Sequence, residues 1–412
     1  MGHIGTSKAL GCCLDGVAMR RTRSIKNDDL LHGWTEVAGY LQTSVKSARR
    51  WERGDDLPII RPRQIPKGPV FASKRALKAW LTGGIASAII ADNRLIVFDR
   101  KARILWAHEF PASLPRYTPD ELEWRLRFID LHGNGDRGVL LVAKCSASTA
   151  PDEVLYFSSD GILEWTITPK PDLHRVDGTN FEDAWAIRHL IVIPEVVGSA
   201  IYVAMANDAS WGGCVLRIDA DGRATLVFAN SGFVERMCPI ANSEDGLLIV
   251  CGENNDFDLA FAGLLGIRDS SSTSIPGERS VYRYADAPTE TPRKFILFPK
   301  TELIEARDKP YGHARRLRQY QDRVIIEVET GGDGGYILYH FTEFLEPIFA
   351  FPSGSHEFFH RKLEATRAIG HPWLECPEMK KALVLRVWTR NSGWQIEEIP
   401  WRDNPWKDDS VN

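Results

Sequence analysis

Two groups of residues in this 412-residue chain have types and spacings that could do chemistry. The first is His356-Glu357-Phe358-Phe359-His360. On a helix this spacing sets both imidazoles on one face, where they can share a zinc ion while the glutamate activates a bound water. The run HEFFHRKLEATR is rich in helix formers, and Ser355 is placed to cap it. Leu363 stands where a glycine turn toward a third histidine is wanted, Glu364 is too near to be that distant ligand, and His371 is the remaining candidate. The second group is Lys46, Ser47, Arg49, Arg50 and Arg53, joined further on by Arg61, Arg63 and Lys67. Cationic side chains crowded on one short stretch can hold phosphates, and those nearest a groove can reach base edges.

The elements that must position the second group are legible around it. Thr35 can cap a first helix with Val37, Ala38 and Leu41 at helical spacing. Ser44 can cap a second, in which Val45, Ala48 and Trp51 share one face and the basic residues take the other. Only Gln42 and Thr43 separate the helices, a connection short enough to make them cross steeply. Two extended runs follow, Leu57–Ile60 and Val70–Ala72, with a basic Pro/Gly-rich stretch between them that reads as the tip of a two-stranded wing. Ser73 can then cap a third helix, KRALKAWL, with Leu77, Trp80 and Leu81 as its buried stripe.

Charge is distributed to match. Residues 31–82 hold ten lysines and arginines against four acids, a net of +6, whereas the whole chain is −4. A basic module on an acidic body suits phosphate contact by the module alone. The plain alternative is a solvated, charged helix pair that binds another protein.

The order helix, helix, wing, helix resembles the winged helix-turn-helix of the MerR/excisionase family. More narrowly, it resembles the bacterial subgroup with the signature W-x-E-[IV]-A-x-Y-L…S-V-x-[ST]-x-x-R-W-E…L-P…V-F-A…L-x-x-W-L. Matching positions here are Trp34, Glu36, Val37, Ala38, Tyr40, Leu41, Ser44, Val45, Ser47, Arg50, Trp51, Glu52, Leu57, Pro58, Val70, Phe71, Ala72, Leu77, Trp80 and Leu81. Two positions depart: Gln42 replaces the usual turn glycine, and Ala48 replaces the common valine. The resemblance implies double-stranded DNA as partner and a second helix in the major groove. Lys46, Ser47 and Arg49 would lie nearest the bases, while Arg50, Arg53, Arg61, Arg63 and Lys67 would contact phosphates or the adjoining minor groove. One such unit reads few base pairs, so a homodimer or adjacent repeats of the site are expected.

Beyond a break at Thr82-Gly83-Gly84, a β-rich phrase recurs: a run, a polar turn, and a second run. Copies begin at Leu95, Glu153 and Cys214, with weaker ones at Val281, Tyr336 and Trp394. Equivalent positions Val97, Tyr156, Arg217, Arg283 and Tyr339 are spaced by 59, 61, 66 and 56 residues. Asp160-Gly161 and Asp221-Gly222 suit tight hairpin turns, and further strands lie upstream of most copies. Four strands per period make one propeller blade, and six periods fit, with five or seven as the alternatives. A β-sandwich and an irregular solenoid are the alternatives.

Arg127–Ala143, RFIDLHGNGDRGVLLVA, is similar to the calcium-binding strand-loop-strand of FG-GAP propeller repeats. Asp130 is kept, but His132 and Asn134 stand where further acids belong, so the turn is expected to hold its shape without an ion. The same bacterial subgroup often joins its helix-turn-helix to such repeats.

The expected architecture is therefore multidomain: a disordered basic arm over 1–27, a winged helix-turn-helix over 28–82, and an all-β propeller of about six blades over 83–412. The arm's alternative is an artefact of a start site upstream of Met19. Seven scattered cysteines suit a reduced cytoplasm, and the apolar run His189–Ala206 is broken by Pro194, Glu195 and Gly198, so no membrane span is expected. Nucleophile-elbow, phosphate-loop and dinucleotide motifs are missing, and Gly331–Gly335 reads as a hairpin tip. The expectation is a non-enzymatic DNA-binding regulator without a cofactor, whose propeller binds an unknown ligand or protein. A DNA-bending factor of excisionase type and a zinc hydrolase at 356–360 are the alternatives.

Overall fold

The computed structural model describes residues 30–54, 57–60, 70–74, 77, 84–144, 151–176, 185–195, 197–207, 211–240, 246–267, 272–275, 284–285, 288–306, 312–320, 323–330, 335–373 and 384–400. The expected arm over 1–27, the wing tip with Arg61, Arg63 and Lys67, and most of the third helix lie outside the described residues.

At the N-terminal end, α1 (Gly33–Tyr40) and α2 (Val45–Gly54) stand beside a two-stranded antiparallel sheet of Leu30–His32 and Phe71–Ser73. Leu31, Val37, Ala38, Leu41, Ala48, Leu57, Ala72 and Leu77 close into one buried cluster, with Trp34, Val45 and Trp51 packed on its margin. Burying each Val or Leu here contributes about 1.5–3 kcal/mol, which holds helices too short to persist alone. Ile60 and Phe71 exchange backbone hydrogen bonds of 2.8 and 3.0 Å, joining the two extended runs expected at the wing.

Thr35 does not cap α1. The helix starts at Gly33, after His32, whose N–H is taken by Glu36 Oε2 at 2.7 Å. The strand Leu30–His32 fixes this earlier start: Gly33 turns out of it at φ +77 and donates to the Val70 carbonyl at 2.6 Å. Only Gly takes such a φ without a Cβ penalty.

The remainder is mostly β, arranged as successive antiparallel meanders of the kind that form propeller blades. The first sheet has three strands (Ser87–Ala91, Arg94–Phe98, Ile104–Glu109) and the second four (Leu126–Ile129, Gly138–Ala143, Glu153–Phe157, Leu163–Ile167). The third runs Trp185–Pro194, Ser199–Asn207, Gly212–Ile218 and Ala224–Asn230, with the short Ser272–Thr273 added in parallel. The fifth is Ala314–Tyr320, Arg323–Glu329, Tyr336–Thr342 and Pro347–Pro352.

The fourth sheet reduces six periods to five sheets among the described residues. It contains six strands, Val234–Ile240, Leu247–Asn254, Leu259–Gly266, Lys294–Leu297, Val384–Thr389 and Gly393–Glu398. Most of the first run of the phrase expected from Val281 lies outside the described residues, and its second run supplies the strand Lys294–Leu297, which pairs back to Leu259–Gly266. The hairpin at Trp394 joins that strand's free edge rather than starting a sixth blade. All four residues of Lys294–Leu297 are buried, so this edge must be covered, and the C-terminal hairpin covers it. Five sheets, not six, make up the β region among the described residues.

Sheets pack in chain order because each central strand is apolar on both faces. In Gly138–Ala143, Val139, Leu141 and Ala143 face the first sheet while Leu140 and Val142 face the third. Likewise Ile201, Val203 and Met205 face the second sheet, and Ala200, Tyr202 and Ala204 the fourth. The fourth and fifth share a cluster including Ile249, Cys251, Ile326 and Tyr339.

Among the described residues three further helices decorate the sheets: α3 (Pro119–Arg125), α4 (Glu302–Glu305) and α5 (Gly354–Ala365). A capping box of Thr118 and Glu121 starts α3. None of the described helices is long and apolar enough to cross a membrane.

Candidate functional site

The basic group sits on α2. Ser44 Oγ accepts the Ser47 N–H at 3.0 Å, so the expected cap at the start of this helix is in place. Val45, Ala48 and Trp51 point into the cluster, and Ala48 is fully buried. That leaves Lys46, Arg49, Arg50 and Arg53 exposed on the opposite face and Ser47 half-buried at its margin. Helical geometry thus gathers four cations within two turns.

The connection between helices is tight. Gln42 takes φ +49, the left-handed turn where glycine is the unstrained residue. It is held there by Gln42 N–H to Gly39 O at 3.1 Å and Thr43 N–H to Ala38 O at 3.0 Å. The side chain follows the turn's geometry, and the turn does not re-form around it.

One feature of this face carried no obvious sequence signal. The Arg49 guanidinium lies over the Trp34 ring, 5.6 Å from its centroid, and the Arg49 carbonyl accepts Arg53 Nε at 3.3 Å. Trp34 precedes Arg49 by fifteen residues and belongs to the other helix, so only the crossing brings them together. The stack restrains a long side chain whose freedom would otherwise be lost on binding.

The loop after Asp130 is closed from within. Its carboxylate oxygens accept the N–H groups of Asn134 at 3.1 Å and Gly135 at 2.8 Å. His132 Nε2 pairs with Glu164 at 2.8 Å, and Asn134 Oδ1 accepts the Asp136 N–H at 2.8 Å. Backbone donors thus hold the loop's shape through Asp130 and Asn134.

The second chemical candidate is turned inward by its own helix, with the His360 and His371 rings 5.3 Å apart. α5 is capped by Ser353, whose Oγ accepts the His356 N–H at 3.2 Å; Ser355 lies inside the helix and is not the cap. His356 and His360 share a face as expected, but that face is the buried one, and both rings pack on Trp373 at 5.6 and 5.0 Å. His356 Nδ1 is bonded to Thr330 Oγ1 at 2.6 Å. Burial lowers the His356 pKa to about 3 and also lowers that of His360. Glu357 turns away and binds Arg361 at 2.9 Å. His371 is tied to Glu302 at 2.6 Å. Among the described residues, no group of three His, Cys, Asp or Glu side chains is placed to hold a metal ion.

Cys214 and Cys251 are fully buried within the sheet clusters, and desolvation raises both thiols well above their ordinary range. They pack as small apolar groups rather than as nucleophiles.

No known protein family matches the chain, and no curated protein matches it. Two solved structures similar to it are BBS1N in complex with ARL6DN and the Dos1 propeller, each 9% identical. The first has a TM-score of 0.29 over 65% of this chain and 67% of that one. The second has a TM-score of 0.30 over 63% of each, so the chain spans less than two thirds of that propeller.

Proposed function

We propose that this chain is a bacterial cytoplasmic DNA-binding regulator that lays α2 in the major groove of double-stranded DNA. The observation that carries the reading is the division of α2 into two faces: Ala48 fully buried on one, and Lys46, Arg49, Arg50 and Arg53 exposed on the other. The capped start of the helix, the left-handed Gln42 turn and the paired Ile60 and Phe71 fit the helix-helix-wing order inferred from the sequence. In this reading Lys46 and Ser47 approach base edges, while Arg50 and Arg53 take phosphates. Arg49, braced on Trp34, joins Lys46 and Ser47 at the base edges. A homodimer would double the few base pairs that one unit reads. The β region serves as the ligand- or partner-binding body, and no catalytic role is assigned to it.

The test is binding of the purified full chain to DNA from its own gene's upstream region across a salt series. Each phosphate neutralised contributes a slope of about −0.9 in log affinity against log salt. A slope of about −3 or steeper, with preference over scrambled DNA, supports the reading. Absence of binding at low salt overturns it and assigns the basic face to an acidic protein partner.

A further inference from the structure

A cleft of about 1020 Å³ opens between the N-terminal unit and the β region. Pro58, Ile59 and Ile60 line one side, while Phe128 and Ile191, from the second and third sheets, line the other. Ile60 is 53% exposed, an unusual state for an isoleucine beside other apolar side chains. The floor is rigid. Gly133 and Gly198 approach so closely that a Cβ on Gly133 would lie 2.4 Å from the Gly198 nitrogen, and Ser199 N–H bonds the Leu131 carbonyl at 3.2 Å.

The cleft is lined by two arginines and two carboxylates, one of which is neutralised by an arginine outside it. Arg127 and Arg137 both line it, and neither guanidinium makes an ion pair or hydrogen bond among the described residues. The two carboxylates of the lining are already engaged. Asp130 accepts the Asn134 and Gly135 N–H groups, and Glu195 pairs with Arg217 at 2.7 Å. Two guanidinium groups without an ion pair or hydrogen bond among the described residues, against the one unpaired carboxylate of Asp130, therefore leave a net positive charge in a mostly apolar cleft of the size that takes a small organic ligand.

We propose that this cleft binds a small amphipathic monoanion, a carboxylate or sulfonate carried on an apolar body. The anionic group goes to Arg127 and Arg137, and the apolar body lies against Ile60, Phe128 and Ile191. Guanidinium groups suit a planar carboxylate because they offer paired donors, and the apolar walls exclude competing water. The site does not depend on the DNA-binding reading, and it stands or falls separately from it.

The probe is 8-anilino-1-naphthalenesulfonate, an aromatic sulfonate whose fluorescence rises in apolar surroundings, titrated into the full chain. The expected result is saturable one-site binding. Arg137→Gln weakens it about tenfold, the loss of about 1.4 kcal/mol from one charge-assisted hydrogen bond. Because Arg137 is exposed, that variant keeps its fold, which the thermal midpoint verifies. Ile60→Asp, on the opposite wall, weakens binding by a similar factor, and the uncharged analogue N-phenyl-1-naphthylamine binds at least about tenfold more weakly than the sulfonate. Absence of saturable binding overturns the proposal. So does equal affinity of Arg137→Gln and the unaltered chain, which would place the probe elsewhere.

Discussion

The indole Nε1 of Trp106 donates to the Ser159 carbonyl at 3.1 Å, locking the first sheet onto the hairpin turn of the second. The same contact recurs one period on, where Trp165 Nε1 donates to the Ala220 carbonyl at 3.1 Å in the turn of the third sheet. Both turns have the same build. Gly161 N–H bonds Ser158 O and Gly222 N–H bonds Asp219 O, each at 3.0 Å, with the glycines at φ +81 and +79. The turns after Phe98 and Thr342 repeat it with Ala102 at φ +56 and Leu345 at φ +58. A glycine is needed only where a tryptophan sits on the turn. A Cβ on Gly161 would come within 2.6 Å of the Trp106 ring.

This relationship gives two substitutions of opposite sign. Gly161→Ala puts a Cβ into a left-handed residue and into the indole together, and is expected to destabilise by about 2–4 kcal/mol. Ala102→Gly, at the equivalent turn of the first sheet, relieves the backbone and is expected to stabilise by about 1 kcal/mol. Urea unfolding of both variants beside the unaltered chain measures the pair. Equal effects at the two sites would mean that the tryptophan contributes nothing to the turn.

The hairpins were legible because their signals are local: Asp160-Gly161 and Asp221-Gly222 flanked by alternating runs. The α2 faces were legible for the same reason, since Val45, Ala48 and Trp51 recur at helical spacing. What was not legible is non-local. The partner of Lys294–Leu297 is Val384–Thr389, which lies beyond the entire fifth sheet, so no window of sequence could reveal that the last hairpin completes the fourth sheet. The cap of α1 was misplaced because pairing between Leu30–His32 and Phe71–Ser73 overrides the propensity of Thr35. The histidine motif was read from side chains that could bind metal, and the sequence alone did not show that the face bearing them points inward.

Buried histidines make stability depend on pH. Burial lowers His356 and His189 to about 3, so both stay neutral in the native chain. Unfolded, they take protons near pH 6.5, so between about 6.5 and 3 the unfolded chain binds more protons and stability falls as pH falls. Each contributes a loss of roughly 2 kcal/mol between pH 7.5 and 5. Asp152, raised by burial, opposes this, because its native form takes a proton before its unfolded form does. Urea unfolding at pH 7.5 and 5.0 is expected to show the drop, and His356→Gln is expected to lessen it. A flat profile would place these rings in contact with water.

The histidine helix gives a test of the hydrolase alternative. Glu357 is engaged in a helical pair with Arg361, which is largely exposed, so Glu357→Ala is expected to change stability by less than about 0.5 kcal/mol. His360→Leu removes two buried ring nitrogens that have no hydrogen-bond partner, and is expected to leave stability unchanged or raise it. Zinc measured by atomic absorption on the purified chain is expected to be substoichiometric. One zinc per chain, lost together with stability in His360→Leu, would restore the metal reading.

Arg50 and Arg53 decide the orientation of α2. Both are exposed, and neither belongs to the buried cluster that holds the helix in place. Arg50→Ala with Arg53→Ala is therefore expected to leave the thermal midpoint nearly unchanged while removing two phosphate contacts. The salt slope should flatten by about 2, and affinity should fall to a similar degree for every DNA sequence. Lys46→Ala should act differently, because a side chain at the base edges changes preference among sequences more than it changes the salt slope. If the double variant instead lost sequence preference and kept its slope, the helix would enter the groove with Arg50 and Arg53 facing the bases, and Lys46 would take the phosphate position.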